Sequence, residues 1–315
     1  MELILKRSLV ESPVVPYKGN VDEYFKPAIP VNSYQTALQI CLEALGAISP
    51  EVTVVLPVTS SAETVSAVLR AGGYPCLLDI DPTTLQLDPE SLDQVLKASK
   101  EAVVVLNFPG GWDIDTRIKE VCDRYNTPTI VDSRLPVSKN NYGPKGTFTV
   151  YDYAPFMGQG SLIWPGHDSY YASTMLIRSG VLGHGAHMSA PQANTALSLE
   201  YHSYFEKHSQ LVLDYKEALD RKKVKYKFNH FDRYPIIEHE SADAVIAKLD
   251  TLGFEAVKAC TPLYTFESLR ERWQEDPSEL YPVAKKMHNR IVALPTTARD
   301  KLSLYQIAQA ISEVL

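Results

Sequence analysis

A chain of 315 residues, 45% of them hydrophobic and 22% charged, is long enough for a large core and a smaller second unit. Its formal charge of −7 supplies no basic face for nucleic acid or an anionic membrane surface, and no run of Lys and Arg exceeds three residues. No apolar stretch approaches the roughly 20 residues of a membrane-spanning helix, and the opening MELILKRSLVESP lacks the cleavage site of a secretory leader, so a cytoplasmic protein is expected.

After an irregular, proline-bearing opening, NSYQTALQICLEALG gives the first clear helix. Asn32 or Ser33 can cap it, and Leu38, Cys41, Leu42 and Leu45 share one face. VTVVLP is an apolar run too short for a helix, hence a strand buried on both faces. In SSAETVSAVLRAGG, Ser60 and Glu63 have capping-box spacing, Val65, Val68 and Leu69 form the expected buried stripe, and Gly72 and Gly73 stop the helix. CLLDID reads as the next strand. A helix over 89–99, the strand AVVVLN, a helix with Ile118, Val121, Cys122 and Tyr125 on one face, and the strand TIVD continue the alternation.

Such an alternation with apolar strands specifies a mainly parallel sheet with right-handed crossovers and helices on both faces. Ligands of such sheets bind beyond the carboxyl ends of the strands, where Asp132 closes TIVD. Beyond Gly146 the strands FTVYDY and SLIW are short, and a helical stretch follows around 168–178. Residues 189–221 read as a long helix leaving the large domain. A second αβ unit then takes VKYKF, PIIEH, EAVKAC and IVALP as strands, a helix over 242–249, and a final helix with Leu304, Ile307, Ala308 and Ile311 on one face. Cys41, Cys76, Cys122 and Cys260 are widely spaced without any CxxC and read as buried, reduced thiols.

Several stretches together, in order along the chain, resemble the DegT/DnrJ family of nucleotide-sugar aminotransferases. They are VNSYQTALQICLEALG, LPVTSSAETVSAVLRAGGYPCLLDIDPTTLQLDPESL, TIVDS, GSLIWPGHD, HMSAPQAN and YPVAKKMHNRIVALP. The resemblance implies the aspartate-aminotransferase type of pyridoxal-phosphate fold: a three-layer αβα large domain with a mainly parallel sheet over residues 30–205 and a smaller C-terminal αβ domain over 206–315. Residues 1–29 form an irregular segment available to pack on the small domain. It also implies a homodimer and a setting in polysaccharide or natural-product sugar biosynthesis.

The family's chemistry needs a lysine for the Schiff base, an aspartate on the pyridine nitrogen, a phosphate seat at a helix start and an aromatic ring on the cofactor face. By resemblance the aspartate is Asp132. The lysine position falls on Met157, whose thioether can neither condense with an aldehyde nor move a proton. Asp152 replaces a phosphate-binding serine and would repel a phosphate dianion. The small Gly-Thr pair of the phosphate seat is here Tyr34 and Gln35, the ring-stacking position falls on Ser61, and the glutamine following the aspartate falls on Leu135. In GHGAHMS the family's asparagine and arginine become Gly185 and His187. Asp132 has a structural reading too, as a buried carboxylate paired with Arg134 or a helix terminus.

His184 and His187 have a metal-like spacing but no third ligand nearby, and Asp113 and Asp115 resemble a loop and a helix cap more than paired catalysts. Three functions stay open. The first is a catalytically degenerate homologue, a pseudoenzyme expected to bind no cofactor, that binds a sugar-nucleotide-like ligand or an active paralogue. The second is an aminotransferase that uses pyridoxal phosphate through another lysine, such as Lys139 or Lys145. The third is different chemistry in a remodelled pocket with Asp132 and Asp152 as acid and base.

Overall fold

The structure, a computed structural model, describes residues 22, 25–107, 114–133, 146–152, 160–180, 185–189, 204–226, 235–267, 276–295 and 301–314. The chain divides into two compact units, one within residues 12–202 and the other including everything from residue 203 onward. No helix among the described residues is long and apolar enough to cross a membrane.

The first unit is built on a seven-stranded sheet of β1 (Ile29–Val31), β2 (Thr53–Pro57), β3 (Tyr74–Leu78), β4 (Ala102–Leu106), β5 (Thr129–Ser133), β6 (Phe148–Asp152) and β7 (Ser161–Pro165). Their spatial order is β3-β2-β4-β5-β6-β7-β1. From β3 to β6 every neighbouring pair is parallel, and β7 runs antiparallel to both β6 and β1. Its helices are α1 (Tyr34–Ala44), α2 (Ala62–Ala71), α3 (Pro89–Ala98), α4 (Thr116–Arg124) and α5 (Asp168–Arg178). The expected mainly parallel αβ architecture is thus present.

Successive side chains of a strand point to opposite faces, so the apolar runs divide into two cores. Val54, Leu56, Val103, Val105, Ile130, Val150 and Ile163 pack with Leu38, Cys41 and Leu42 of α1. Val55, Val104, Leu106 and Val131 pack on the other face with Leu92 and Leu96 of α3 and Ile118, Val121 and Cys122 of α4. Helix α1 is buried on most of its surface, with Tyr34, Ala37, Leu38, Gln39, Ile40, Cys41 and Leu42 all inside.

Local details depart from the sequence reading in three places. The opening is not wholly irregular, because the three-residue β1 adds an edge strand; so short a run, with Pro30 at its centre, carries no periodic signal. Helix α2 is capped by Ser61 rather than Ser60, its hydroxyl accepting from the Thr64 amide at 3.2 Å. The buried face of α2 is accordingly Thr64, Ala67, Val68 and Ala71, while Leu69 is 51% exposed. Gly72 ends α2 at φ +98°, and a Cβ there would stand 2.8 Å from the Ile48 carbonyl oxygen, which explains why glycine follows Ala71. β3 covers Tyr74–Leu78, starting earlier than the expected CLLDID and stopping before it ends; Asp81 instead holds a turn by accepting from the amides of Thr83 and Thr84 at 2.7 and 2.9 Å.

The second unit has a three-stranded antiparallel sheet, β8 (Ile236–Glu238), β9 (Val257–Lys258) and β10 (Ile291–Ala293), in the order β8-β10-β9. Around it stand α6 (Tyr204–Arg221), α7 (Ala242–Asp250), α8 (Pro282–His288) and α9 (Lys301–Val314). Leu304, Ile307, Ala308 and Ile311 of α9 are buried against Tyr215 and Leu219 of α6, as the spacing predicts. Of the long helix expected over 189–221, the described portion begins at Tyr204. In the described part of VKYKF, Tyr226 forms an isolated bridge with Ile237.

Candidate functional site

Strands β2, β4, β5 and β6 run in the same direction, so their carboxyl ends lie along one edge of the sheet. Asp132 stands at the end of β5, in register with Val150 of β6. Asp152 lies two residues beyond Val150 and therefore on the same face, the one that carries α1. Ser161 of β7 is the cross-strand partner of Asp152 and shares that face. Asp132 and Asp152 are each only 4% exposed, and Ser161 is fully buried. The apolar rows beneath α1 thus finish in a buried polar row at the edge where αβ sheets place their ligands.

Tyr34 is the first residue of α1, and Ser33 caps it by accepting from the Thr36 amide at 3.2 Å. The Tyr34 side chain is buried, and its hydroxyl donates to Oδ2 of Asp132. The same hydroxyl lies 3.1 Å from Oγ1 of Thr64, which is 3.0 Å from Oγ of Ser61. Gln35 turns to the neighbouring helix, its Nε2 donating to Oγ of Ser66 at 2.7 Å. The structure therefore brings Tyr34, Ser61, Asp132 and Thr64 into one hydrogen-bonded chain. Thr64 and Ser66 were absent from the sequence reading. Their signal was a polar residue on each of two turns of α2, visible only once its true cap had been placed at Ser61.

Tyr34 is thus a hydrogen-bond partner of Asp132 that the sequence did not suggest, and Arg134, the partner it did suggest, lies outside the described residues. Met157, Leu135, Lys139, Lys145, His184 and Asp113 lie outside them as well. Asp115 is the N-cap of α4, accepting from the Arg117 amide at 2.9 Å, as its position before the helix suggested. His187 is exposed, bridges to Val31, and belongs to no cluster of three metal-ligating side chains among the described residues. Cys41, Cys122 and Cys260 are buried, while Cys76 is only half-buried on the edge strand β3; all four are free thiols.

A second buried polar contact lies at the end of α5. Arg178 is 1% exposed and grips both carboxylate oxygens of Asp22 at 2.7 Å, with a further bond to the Pro30 carbonyl at 3.1 Å. The guanidinium holds the Asp22 carboxyl below its ordinary range, against the opposing effect of burial. This pair fastens the segment before β1 to the helix that flanks it.

Residues 20–138 match the DegT/DnrJ/EryC1/StrS aminotransferase family. The resemblance read from the sequence is thereby borne out, and the polar row lies within and just beyond the matched region. Over 132 residues the chain is 26% identical to a 3-oxo-glucose-6-phosphate:glutamate aminotransferase of Bacillus subtilis, covering 42% of this chain and 30% of that protein. It is 33% identical over 121 residues to an L-glutamine:2-deoxy-scyllo-inosose aminotransferase of Streptomyces kanamyceticus, covering 38% of this chain and 28% of the relative. These matches thus span less than a third of either relative's length.

In three dimensions the likeness runs through most of the chain. The structure of NtdA from Bacillus subtilis with bound cofactor PMP superposes with a TM-score of 0.78 over 94% of this chain and 78% of that one, at 18% identity. The fold is that of the pyridoxal-phosphate-dependent sugar aminotransferases.

Proposed function

We propose that this chain is a sugar-aminotransferase scaffold that no longer uses pyridoxal phosphate and that serves as a ligand-binding or partner protein. The observation that carries this reading is the bond from Tyr34 to Asp132. By resemblance the start of α1 is the cofactor's phosphate seat and Asp132 is the holder of its pyridine nitrogen. A side chain rooted at the first position and bonded to the second lies along the line between them. On this reading the residues present do not fit pyridoxal phosphate: Tyr34 takes up both the space and the carboxylate that the ring would need.

Its surroundings support the same conclusion. Asp152 puts a buried carboxylate where the resemblance expects a phosphate-binding serine, and an anion there opposes a dianionic phosphate. Ser61 offers no ring face and is committed to capping α2. Met157 and Leu135 replace the remaining lysine and glutamine. Engagement of Asp132 by Tyr34 also counts against its use with Asp152 as an acid–base pair. The ligand expected for such a scaffold is a sugar nucleotide or a close analogue, or else an active paralogue. A cytoplasmic homodimer is the assembly this reading carries with it.

The second reading is an active aminotransferase for sugars of polysaccharide or natural-product biosynthesis, and the PMP-bound NtdA structure on the same fold is the observation in its favour. It requires another lysine, such as Lys139 or Lys145, to reach the aldehyde. One experiment separates the two. The purified protein is incubated with pyridoxal phosphate, reduced with borohydride and mapped by peptide mass. The proposed function predicts no stoichiometric adduct on any single lysine. A stoichiometric adduct on one lysine, lost together with keto-sugar amination when that lysine is replaced by alanine, would establish the second reading instead.

A further inference from the structure

We infer that Tyr34 acts as a built-in ligand of the former cofactor site, and that the site now recognises a neutral aromatic hydroxyl. The inference rests on the reading that pyridoxal phosphate is not used. It goes further by assigning the chemistry of what the site does hold.

The hydrogen bonds around Tyr34 admit one consistent direction. The Tyr34 hydroxyl donates to Asp132. Its oxygen is then left to accept, so the Thr64 hydroxyl, 3.1 Å away, is the donor of the next bond. With its own proton committed, Thr64 Oγ1 accepts from the Ser61 hydroxyl at 3.0 Å. Ser61 Oγ in turn accepts the Thr64 backbone amide at 3.2 Å, the cap bond that fixes the start of α2. Every hydroxyl proton in the chain thus points toward Asp132, an arrangement in which successive bonds polarise one another.

One phenol therefore joins the end of β5, the first turn of α1 and the first turn of α2. By the family resemblance, those ends are the positions that would seat the cofactor's phosphate, ring face and pyridine nitrogen. Here they converge on a side chain, and the requirements on any replacement are specific. It must carry an O–H to donate to Asp132, an oxygen to accept from Thr64, and a flat apolar body to fill the space beneath α1. A plain hydrocarbon ring fails the first two requirements. A phosphorylated ring brings a dianion toward two buried carboxylates, Asp132 and Asp152.

The test is chemical rescue of Tyr34→Ala, read as the midpoint of thermal unfolding with p-cresol, toluene or pyridoxal phosphate added. Truncation is expected to lower the midpoint by about 5–10 °C. Millimolar p-cresol should recover a large part of that loss, toluene less and pyridoxal phosphate none. Equal recovery by toluene and p-cresol would overturn the inference, because the hydroxyl chain would then select nothing. Should Tyr34→Ala fail to fold, Tyr34→Phe keeps the ring and removes only the hydroxyl. Its midpoint should fall by several degrees, and a midpoint equal to that of the unaltered protein would overturn the inference equally. Failure of the preceding reading shows separately, as stabilisation of the unaltered protein by pyridoxal phosphate, whatever p-cresol does to the variant.

Discussion

The two faces of the seven-stranded sheet are equally apolar through their middles and differ where the strands end. Beneath α3 and α4, Leu106 and Val131 pack against Leu92, Ile118 and Cys122, and the polar side chains near the strand ends are hydroxyls, Thr149 beside Val131 and Ser133 at the end of β5, with no carboxylate among the described residues. Beneath α1 the rows of valine, isoleucine and leucine give way to Asp132, Asp152 and Ser161, joined at Asp132 by Tyr34 and Thr64. Burying polar groups is unfavourable unless they are hydrogen-bonded, so a polar row at one end of one face marks a place shaped by something other than packing. A directed chain of hydroxyls from Ser61 through Thr64 and Tyr34 ends on Asp132. The two faces thus differ in burying carboxylates at the strand ends, which happens only beneath α1 among the described residues of the sheet.

Substitutions at matched positions test this contrast. Tyr34→Ala removes the aromatic body and the hydroxyl together and should cost about 3–5 kcal/mol in a denaturant titration. A loss below about 1 kcal/mol would mean that the chain contributes little and that the α1 face is ordinary core. Exchanging single polar atoms sharpens the comparison. Tyr34→Phe should cost about 2 kcal/mol by leaving Asp132 and Thr64 without their shared partner hydroxyl. Val131→Thr, one residue earlier on β5 but on the opposite face, should cost about 1–3 kcal/mol for the reverse reason, a hydroxyl inserted among apolar side chains. Were the two faces alike, removing one hydroxyl and adding the other would not both destabilise.

The Arg178–Asp22 pair extends the comparison to pH. Asp22→Asn leaves a buried guanidinium with a weakened partner and should cost about 2 kcal/mol, at the low end for a broken buried pair because Asp22 is itself one-third exposed. The Asp22 carboxyl is depressed in the folded protein, so its contribution is fully present above the ordinary carboxylate range and fades as pH falls through the lower folded value. Unfolding measured at pH 7 and again below pH 4 should show the difference between Asp22→Asn and the unaltered chain shrinking at acid pH. The smallest effect concerns thiol kinetics. Burial raises all three thiols, Cys122 up to about 12, so exposure decides, and a thiol reagent at neutral pH should label the partly exposed Cys76 well before the buried Cys41 and Cys122.

Much of the fold was legible because strands buried on both faces write themselves as continuous apolar runs, as TVVLP and AVVVL do. Helix α9 was legible because one side faces solvent and its period shows. Strand β1 was not, since three residues around a proline carry no period. The stripe of α2 was misread because its buried face includes Thr64 and two alanines, whereas the more hydrophobic Leu69 lies outside. At the site, the family resemblance implied that Tyr34, Ser61 and Asp132 share one region. It could not indicate that Tyr34 bonds Asp132 across 98 positions, or that Thr64 joins them, because such contacts depend on where α1 and α2 begin in space.

On the proposed reading, Tyr34 holds the place a cofactor ring would take. The most direct test is a crystal structure of the unaltered protein grown with a large excess of pyridoxamine phosphate. The expected result is the Tyr34 phenol in density on Asp132, with no ring between α1 and the end of β5. A pyridine ring with its nitrogen on Asp132, and Tyr34 turned away, would contradict it.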